Sequence, residues 1–187
     1  MRKSIDEKIL AGRMILNWIS RLVPCKVNVF IWRACLGRLP TRSNLAIRGI
    51  PLPSLLCPWC IRYEETEQHL LFECSSSKEL QAHLTSWWGP SYMSAGTPRV
   101  SDLLENNTTL NSAKTDIARS AFLWVLWNYR NEIIFKGKVK GNPQLVTEVK
   151  SMSYRWFCNR GKNMVVLLGK TSVTPSCNFV PSSSLVL

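Results

Sequence analysis

The stretch CPWCIRYEETEQHLLFEC, residues 57–74, contains three cysteines and one histidine in the pattern C-x2-C-x8-H-x4-C. Thiolate sulfur and imidazole nitrogen are preferred donors for Zn²⁺, which takes four ligands in a tetrahedron. Four protein ligands leave no coordination position for water or substrate, so such an ion has a structural role. The pattern therefore predicts one structural Zn²⁺ ion, bound by Cys57, Cys60, His69 and Cys74.

The second half of this pattern raises a geometric difficulty. On a regular α-helix His69 and Cys74 would lie about 140° apart, so both reach one ion only if the helix ends between them. The run from Glu73 to Ser76 predicts such an end. Two other interpretations remain open, namely unrelated cysteines beside a surface histidine, and a redox role for the C-x2-C pair. His83 is interpreted as an ordinary, partly exposed side chain.

Outward from this stretch, the sequence predicts a mainly α fold with an irregular zinc knuckle. Residues 50–66 show no apolar period and contain two prolines, which is typical of a loop. A short helix begins after Thr41, its predicted N-cap, and ends near Gly49. Apolar spacing and helix-ending residues predict the other helices over residues 6–21, 26–36, 65–88 with interruptions, 101–106, 112–135 and 144–158, and a loose tail follows.

Composition limits the partners and the compartment. Lys and Arg outnumber Asp and Glu by 24 to 12, which favours a polyanionic partner such as RNA or DNA, although a basic surface without such a partner is the alternative. No apolar run approaches the roughly 18 residues of a membrane span. The seven cysteines include one tight cluster, which is typical of metal binding in a reducing compartment. We expect an intracellular protein with no membrane partner, and a nuclear location is compatible with the sequence.

The residues around the cluster form an ordered set of short motifs. The motifs are Pro24-Cys25-Lys26-Val27, Phe30-Ile31-Trp32-Arg33, Gly37-Arg38-Leu39-Pro40-Thr41, Leu45, Arg48-Gly49, Cys57-Pro58-Trp59-Cys60, Glu64-Glu65-Thr66 and His69-Leu70-Leu71-Phe72-Glu73-Cys74. Together they resemble the zinc-binding domain of plant non-LTR retrotransposon reverse transcriptases (zf-RVT), over about residues 10–90. The resemblance places the zinc ligands at the same four positions and implies a domain next to a polymerase and a ribonuclease H.

A second motif supports the resemblance further along the chain. Residues 124–135 look like the W-x-x-W-x-x-R-N-x-x-x-F segment that follows this domain in such elements. Trp124, Trp127, Asn131 and Ile134 fall on one helical stripe, and we interpret both Trp as core residues, with base stacking as the alternative. We therefore divide the chain into a zinc-binding domain (1–90), a linker with a short helix (91–111), a helical segment (112–160) and a disordered tail (161–187).

The same resemblance limits the expected activity. The chain contains no paired polymerase aspartates and no set of four ribonuclease H carboxylates, so we expect no enzymatic activity, no small-molecule substrate and a fragment or remnant of the parent element. The leading hypothesis is a non-enzymatic zinc module that binds nucleic acid through basic residues. The alternative is a spacer that docks on polymerase or ribonuclease H domains. The candidate phosphate contacts are Lys26, Arg33, Arg38, Arg42, Arg48 and Arg62.

Overall fold

The computed structural model describes residues 22–88 and 110–167, with side chains described for 22–88 and 115–159. Its regular structure is helical, which confirms the predicted fold class. The helices are α1 (Cys25–Cys35), α2 (Arg42–Ile47), a π-helix (His69–Glu73), α3 (Ser75–Trp88), α4 (Leu110–Lys136) and α5 (Asn142–Leu167). In the described parts of the chain, β-pairing is limited to one isolated antiparallel bridge between Leu56 and Glu64.

The helix boundaries agree closely with the sequence at most ends. Thr41 caps α2, because its hydroxyl accepts a hydrogen bond from the Asn44 amide at 3.4 Å. Gly37, with φ of 61°, follows α1 and donates its amide to the Ala34 carbonyl. α5 continues to Leu167, well beyond its predicted end and into the predicted tail. The predicted helices at 6–21 and 101–106, and residues 168–187, lie outside the described residues.

One core joins the two halves of the described chain. α4 and α5 are connected by a short turn and pack on each other as a helical hairpin. α1 packs on α4, where Phe30 meets Trp124 edge to face with ring centroids 5.4 Å apart. α3 packs on α5, and Lys150 lies 4.9 Å from the Trp87 ring centre. The residues on both sides of the 89–109 gap therefore share buried apolar contacts.

None of the helices in the described parts of the chain combines the length and the apolar character that a membrane span requires. α4 buries large side chains such as Phe122 and Tyr129, whereas its end at Phe135 and Lys136 is exposed. The helices thus form a scaffold against which the irregular knuckle at residues 51–68 is held.

Candidate metal centre

The four predicted ligands converge on one point. The ligand atoms of Cys57, Cys60, His69 and Cys74 all lie within 4.8 Å of one another, and the six described cysteines are free of disulfides. Sγ of Cys60 is 3.3 Å from Nε2 of His69. In a tetrahedral site with Zn–S bonds of about 2.3 Å, two sulfurs lie about 3.8 Å apart. The donor set and its spacing therefore fit one Zn²⁺ ion, and no fifth group is needed.

A tight turn presents the first two ligands. The Cys57 amide donates to the Tyr63 carbonyl at 2.7 Å, and the Ile61 amide donates to the Cys57 carbonyl at 2.9 Å. The bridge between Leu56 and Glu64 closes the same turn from outside. Ile61 has φ of 55°, a left-handed conformation that is unusual for a β-branched residue. The C-x2-C pair therefore lies in a short hairpin that turns both sulfurs to one side.

A π-helix presents the other two ligands. Residues His69–Glu73 form a π-helix, and the Cys74 amide donates to the His69 carbonyl at 2.7 Å. This i→i+5 bond brings residues five positions apart close to one another, which a regular α-helix would not do. Cys74 then leaves the helical conformation with ψ of 131°, and α3 begins at Ser75. The predicted helix end is present, but the π-helix is the feature that aligns the two ligands.

Neighbouring side chains hold the π-helix in place. Thr66 precedes it and accepts the His69 amide on its hydroxyl at 3.0 Å. At the other end, the hydroxyl of Ser77 donates to the Leu70 carbonyl at 2.6 Å, and the side-chain amide of Gln81 donates to the Leu71 carbonyl at 3.1 Å. These bonds satisfy carbonyls that the widened helical turn leaves without intrahelical partners. The sequence around His69 does contain the Thr-x-x-His pattern, but its capping role was not predicted.

A hydrogen bond between the side chains of Cys57 and Cys74 shifts the pKa values of the two thiols in opposite directions. The pKa of Cys74 is lowered to about 5, first by a hydrogen bond with the Cys57 side chain and then by the amides of Ser77 and Ser76 at the start of α3. The pKa of Cys57 is raised in turn, mainly by the same side-chain bond and by burial. A helix N-terminus favours the thiolate, which is the form that binds zinc. The backbone amides of Ser76 and Ser77 therefore contribute to stabilising the thiolate of Cys74.

A buried ion pair that the sequence did not predict supports the knuckle. Glu65 is fully buried, and both of its carboxylate oxygens accept hydrogen bonds from the Arg130 guanidinium, at 2.6 and 2.7 Å. The same carboxylate accepts the Arg42 amide at 2.8 Å, and Arg130 also donates to the Pro40 carbonyl at 3.1 Å. Arg130 is the Arg of the W-x-x-W-x-x-R-N segment. This motif therefore contacts the loop between the two ligand pairs.

Aromatic contacts connect the knuckle to α4 a second time. Trp59, between the first two ligands, meets Tyr129 edge to face with ring centroids 5.2 Å apart. Trp127 is buried beside Phe30 and under Arg130, and Trp124 is half-buried. This packing favours the interpretation of both Trp as core residues over the base-stacking alternative. In the sequence, the placement of Trp124 and Trp127 on one helical stripe was the signal for this interpretation.

The six predicted phosphate contacts are not equivalent in the structure. Lys26, Arg33, Arg38, Arg48 and Arg62 are exposed. Arg42 is partly buried, and its Nη1 donates to the Leu56 carbonyl at 2.6 Å. Lys26 lies 5.5 Å from the Trp124 ring centre. Arg42 is thus at least partly engaged in holding the knuckle, while the other five cations face solvent.

Comparison with known proteins supports the same domain. No curated protein and no solved structure matches the chain significantly. Residues 5–80, which include all four ligands, match the family zf-RVT, described as zinc-binding in reverse transcriptase. This match and the geometry of the Cys3His cluster together support a zinc-binding domain in this part of the chain.

Proposed function

We propose that the protein is a non-enzymatic structural-zinc module, derived from a retroelement reverse transcriptase polyprotein, that binds nucleic acid through its basic surface. The observation that carries the zinc part is the closed Cys3His cluster, with ligand atoms within 4.8 Å of one another. When bound, the ion supplies a fixed crosslink between the hairpin at Cys57 and the π-helix at His69. Four protein ligands complete the tetrahedron, so no position is open for catalysis.

The nucleic-acid part of the proposal rests on charge. The chain has a formal charge of +12, and five of the six candidate cations are exposed. Lys26 and Arg33 lie two helical turns apart on α1, so they project from the same face. Cations of this kind contact phosphates and release counterions, which produces sequence-independent affinity that falls with salt. We therefore expect binding without base-specific recognition.

A second candidate function also has an observation in its favour. Ile47 is 83% exposed and Ile61 is 69% exposed, and Ile50 and Leu55 are exposed as well. A contiguous exposed patch of such apolar side chains would be typical of a surface that docks on another protein. In the parent element such a surface would pack against the polymerase or the ribonuclease H domain.

Two measurements test the leading proposal. Metal analysis of the purified chain should give one zinc per molecule, and Cys57→Ser and His69→Ala should each lose it. Cys25→Ser and His83→Ala are the matched controls, because both residues are exposed and lie outside the cluster. Zinc retained in the ligand variants, or lost in the controls, would exclude this ligand assignment.

Filter binding tests the nucleic-acid part. With five phosphate contacts, affinity for single-stranded DNA should fall about 100-fold between about 50 mM and about 200 mM salt. Replacing Arg33 and Arg48 by Gln should weaken binding and reduce the dependence on salt. An absence of binding to both RNA and single-stranded DNA at low salt would exclude nucleic-acid binding and leave the docking function as the better explanation.

A further inference from the structure

The tip of the zinc knuckle displays side chains that the zinc site does not use. We define the knuckle tip as Ile61, Arg62 and Tyr63, which lie between the second and third ligands. Ile61 is 69% exposed and Tyr63 is 66% exposed, although both are large and apolar in most of their surface. The Tyr63 ring lies 5.5 Å from the His69 ring, so a zinc ligand positions this exposed aromatic.

The backbone holds this tip in an unfavourable conformation. Ile61 has φ of 55°, and its amide bonds the Cys57 carbonyl at 2.9 Å. Residues in sparsely populated backbone regions persist only where the surroundings fix them, and they concentrate at binding sites. Neither the coordination of zinc nor the core requires an isoleucine side chain at this exposed position. The tip is therefore a candidate contact surface with a rigid backbone.

A second exposed aromatic occurs in a basic turn at the end of α4. We define the basic turn as residues 135–139, which contain Phe135, Lys136, Lys138 and Val139. Phe135 is 76% exposed and Val139 is 83% exposed, and both lysines are exposed too. The basic turn therefore combines one aromatic ring with two cations, and the knuckle tip combines one aromatic ring with one cation, Arg62.

Polar contacts connect the basic turn to α4 and α5. The Tyr129 hydroxyl donates a hydrogen bond to the Lys140 carbonyl and accepts one from the Lys140 amide, both at 3.1 Å. Lys140 Nζ lies 2.7 Å from Glu132 and 2.7 Å from Glu148. Lys140 is thus engaged within the fold and neutralises the nearby carboxylates. The cations left facing solvent in the turn are Lys136 and Lys138.

The knuckle tip and the basic turn extend from one buried contact. Glu65, two residues from Tyr63, bonds Arg130, which precedes Phe135 by five residues on α4. Tyr129, which fixes the basic turn, also packs against Trp59 of the knuckle. Six residues of helix, from Tyr129 to Phe135, span about 9 Å. The two exposed aromatics are therefore connected through the same buried contacts between the knuckle and α4.

From this arrangement we propose that the knuckle tip and the basic turn together bind single-stranded nucleic acid, with Tyr63 and Phe135 each stacking on a base. This inference rests on the proposed function and names the ligand class. Bases stack on aromatic side chains only when they are unpaired, and adjacent cations contact the backbone between them. Arg62, Lys136 and Lys138 supply those cations, and the chain as a whole is strongly positive. Glu64, on the other side of Tyr63 from Arg62, is an exposed carboxylate that would repel phosphates. We therefore expect the phosphates to lie next to Arg62.

The test compares three labelled probes by fluorescence anisotropy on the zinc-loaded full chain. The probes are an oligothymidylate, an abasic strand of the same length and a DNA duplex. Tyr63→Ala and Phe135→Ala should each weaken oligothymidylate binding about 5- to 150-fold, the loss that one stacked base accounts for. Affinity for the abasic strand and the duplex, and the dependence on salt, should stay within about twofold, because no phosphate contact is removed.

Three controls separate stacking from other effects. Tyr63→Phe keeps the ring and should bind as the unaltered chain does, and Tyr154→Ala removes an exposed tyrosine from α5 and should have no effect. Lys136→Gln with Lys138→Gln should instead reduce the salt dependence for all probes. Phe135 lies outside the knuckle, so its variant remains informative even if Tyr63→Ala lowers the zinc content.

The outcomes distinguish this inference from the function on which it rests. If the unaltered chain binds none of the probes, nucleic-acid binding itself is wrong. If the unaltered chain binds and both alanine variants bind equally well, phosphate contacts alone account for binding and the stacking surface is wrong. Equal weakening for duplex and single strand would also contradict the inference, because paired bases offer no free faces.

Discussion

The knuckle and α4 differ sharply in burial. Only Cys57 and Glu65 are buried in residues 51–66. In residues 117–130 of α4, by contrast, every residue is buried except Arg119, Trp124 and Asn128. The α4–α5 hairpin can be stabilised by removal of apolar surface from water. The knuckle buries too few side chains for that, so we expect its conformation to depend on the four candidate metal ligands and on the buried carboxylate of Glu65. The comparison implies that the two regions respond differently to loss of metal and to loss of core volume.

Removal of zinc should produce the largest difference between the two regions. Structural zinc contributes on the order of 10 kcal/mol in zinc-finger peptides, and that binding energy is also folding energy. A strong chelator should therefore remove hydrogen-exchange protection from residues 51–74, while α4 and α5 keep most of theirs. Mass spectrometry with and without chelator measures this. Equal loss in both regions, or no loss in the knuckle, would contradict the proposed division.

Breaking the ion pair that joins the regions should have the next largest effect. Arg130→Met leaves the fully buried Glu65 without its partner, which should cost about 3–5 kcal/mol in urea unfolding. The double variant Arg130→Met with Glu65→Leu should recover much of that loss, because no buried charge remains. A cost below about 1 kcal/mol for the single variant would mean that water reaches the pair.

A cavity in the hairpin should destabilise the fold without affecting the metal site. Leu145 is fully buried on α5, and Leu145→Ala should cost about 2–5 kcal/mol. Zinc affinity at neutral pH should stay within about threefold, because the ligands lie on other elements. A competition titration with a chromophoric chelator measures that affinity. A tenfold loss would show that the knuckle depends on hairpin packing more than its burial pattern indicates.

The partly exposed ion pairs of Lys140 should contribute least. Lys140→Ala should cost less than about 1 kcal/mol, because surface pairs are screened by solvent. The Lys140 hydrogen bond lowers the Glu132 pKa, so that part of the stability is lost as pH falls below the usual carboxyl value of 4.5. Burial lowers the pKa of Lys140, but the hydrogen bonds to Glu132 and Glu148 outweigh burial and raise that pKa overall. The stability that charged Lys140 contributes is therefore lost as the pH rises through its pKa.

The pH dependence follows from those directions. The difference between the unaltered chain and Lys140→Ala should be constant between about pH 6 and about pH 9 and should shrink on both sides. Thermal unfolding at several pH values measures it. A difference that grows at low pH would contradict the assignment, since protonated Glu132 cannot form the ion pair.

Local signals in the sequence predicted much of the fold and the ligand set. Thr41 as a cap and Gly37 as a stop each depend on neighbouring residues, so the pattern was enough. Of the predicted stripe on α4, Trp127 is buried, whereas Trp124, Asn131 and Ile134 are half-buried. His69 was preferred to His83 from its spacing and from the resemblance, and the structure places His69 in the cluster.

The features that were not predicted depend on long-range contacts or on rare geometry. Glu65 and Arg130 are 65 positions apart, so nothing local marks them as partners. A charged residue in a loop is normally exposed, and only the fold shows that Glu65 is buried. The π-helix at His69 also has no common sequence signature. It resolves the conflict between helical spacing and coordination that the sequence alone left open.

Zinc K-edge X-ray absorption of the purified protein tests the central claim most directly. The account predicts one zinc with three sulfur ligands at about 2.3 Å and one nitrogen at about 2.0–2.1 Å. Cys60→Ser should replace one sulfur by a lighter atom, and Cys25→Ser should leave the spectrum unchanged. A water or carboxylate oxygen in the first shell of the unaltered protein would show an open site and would contradict a purely structural ion.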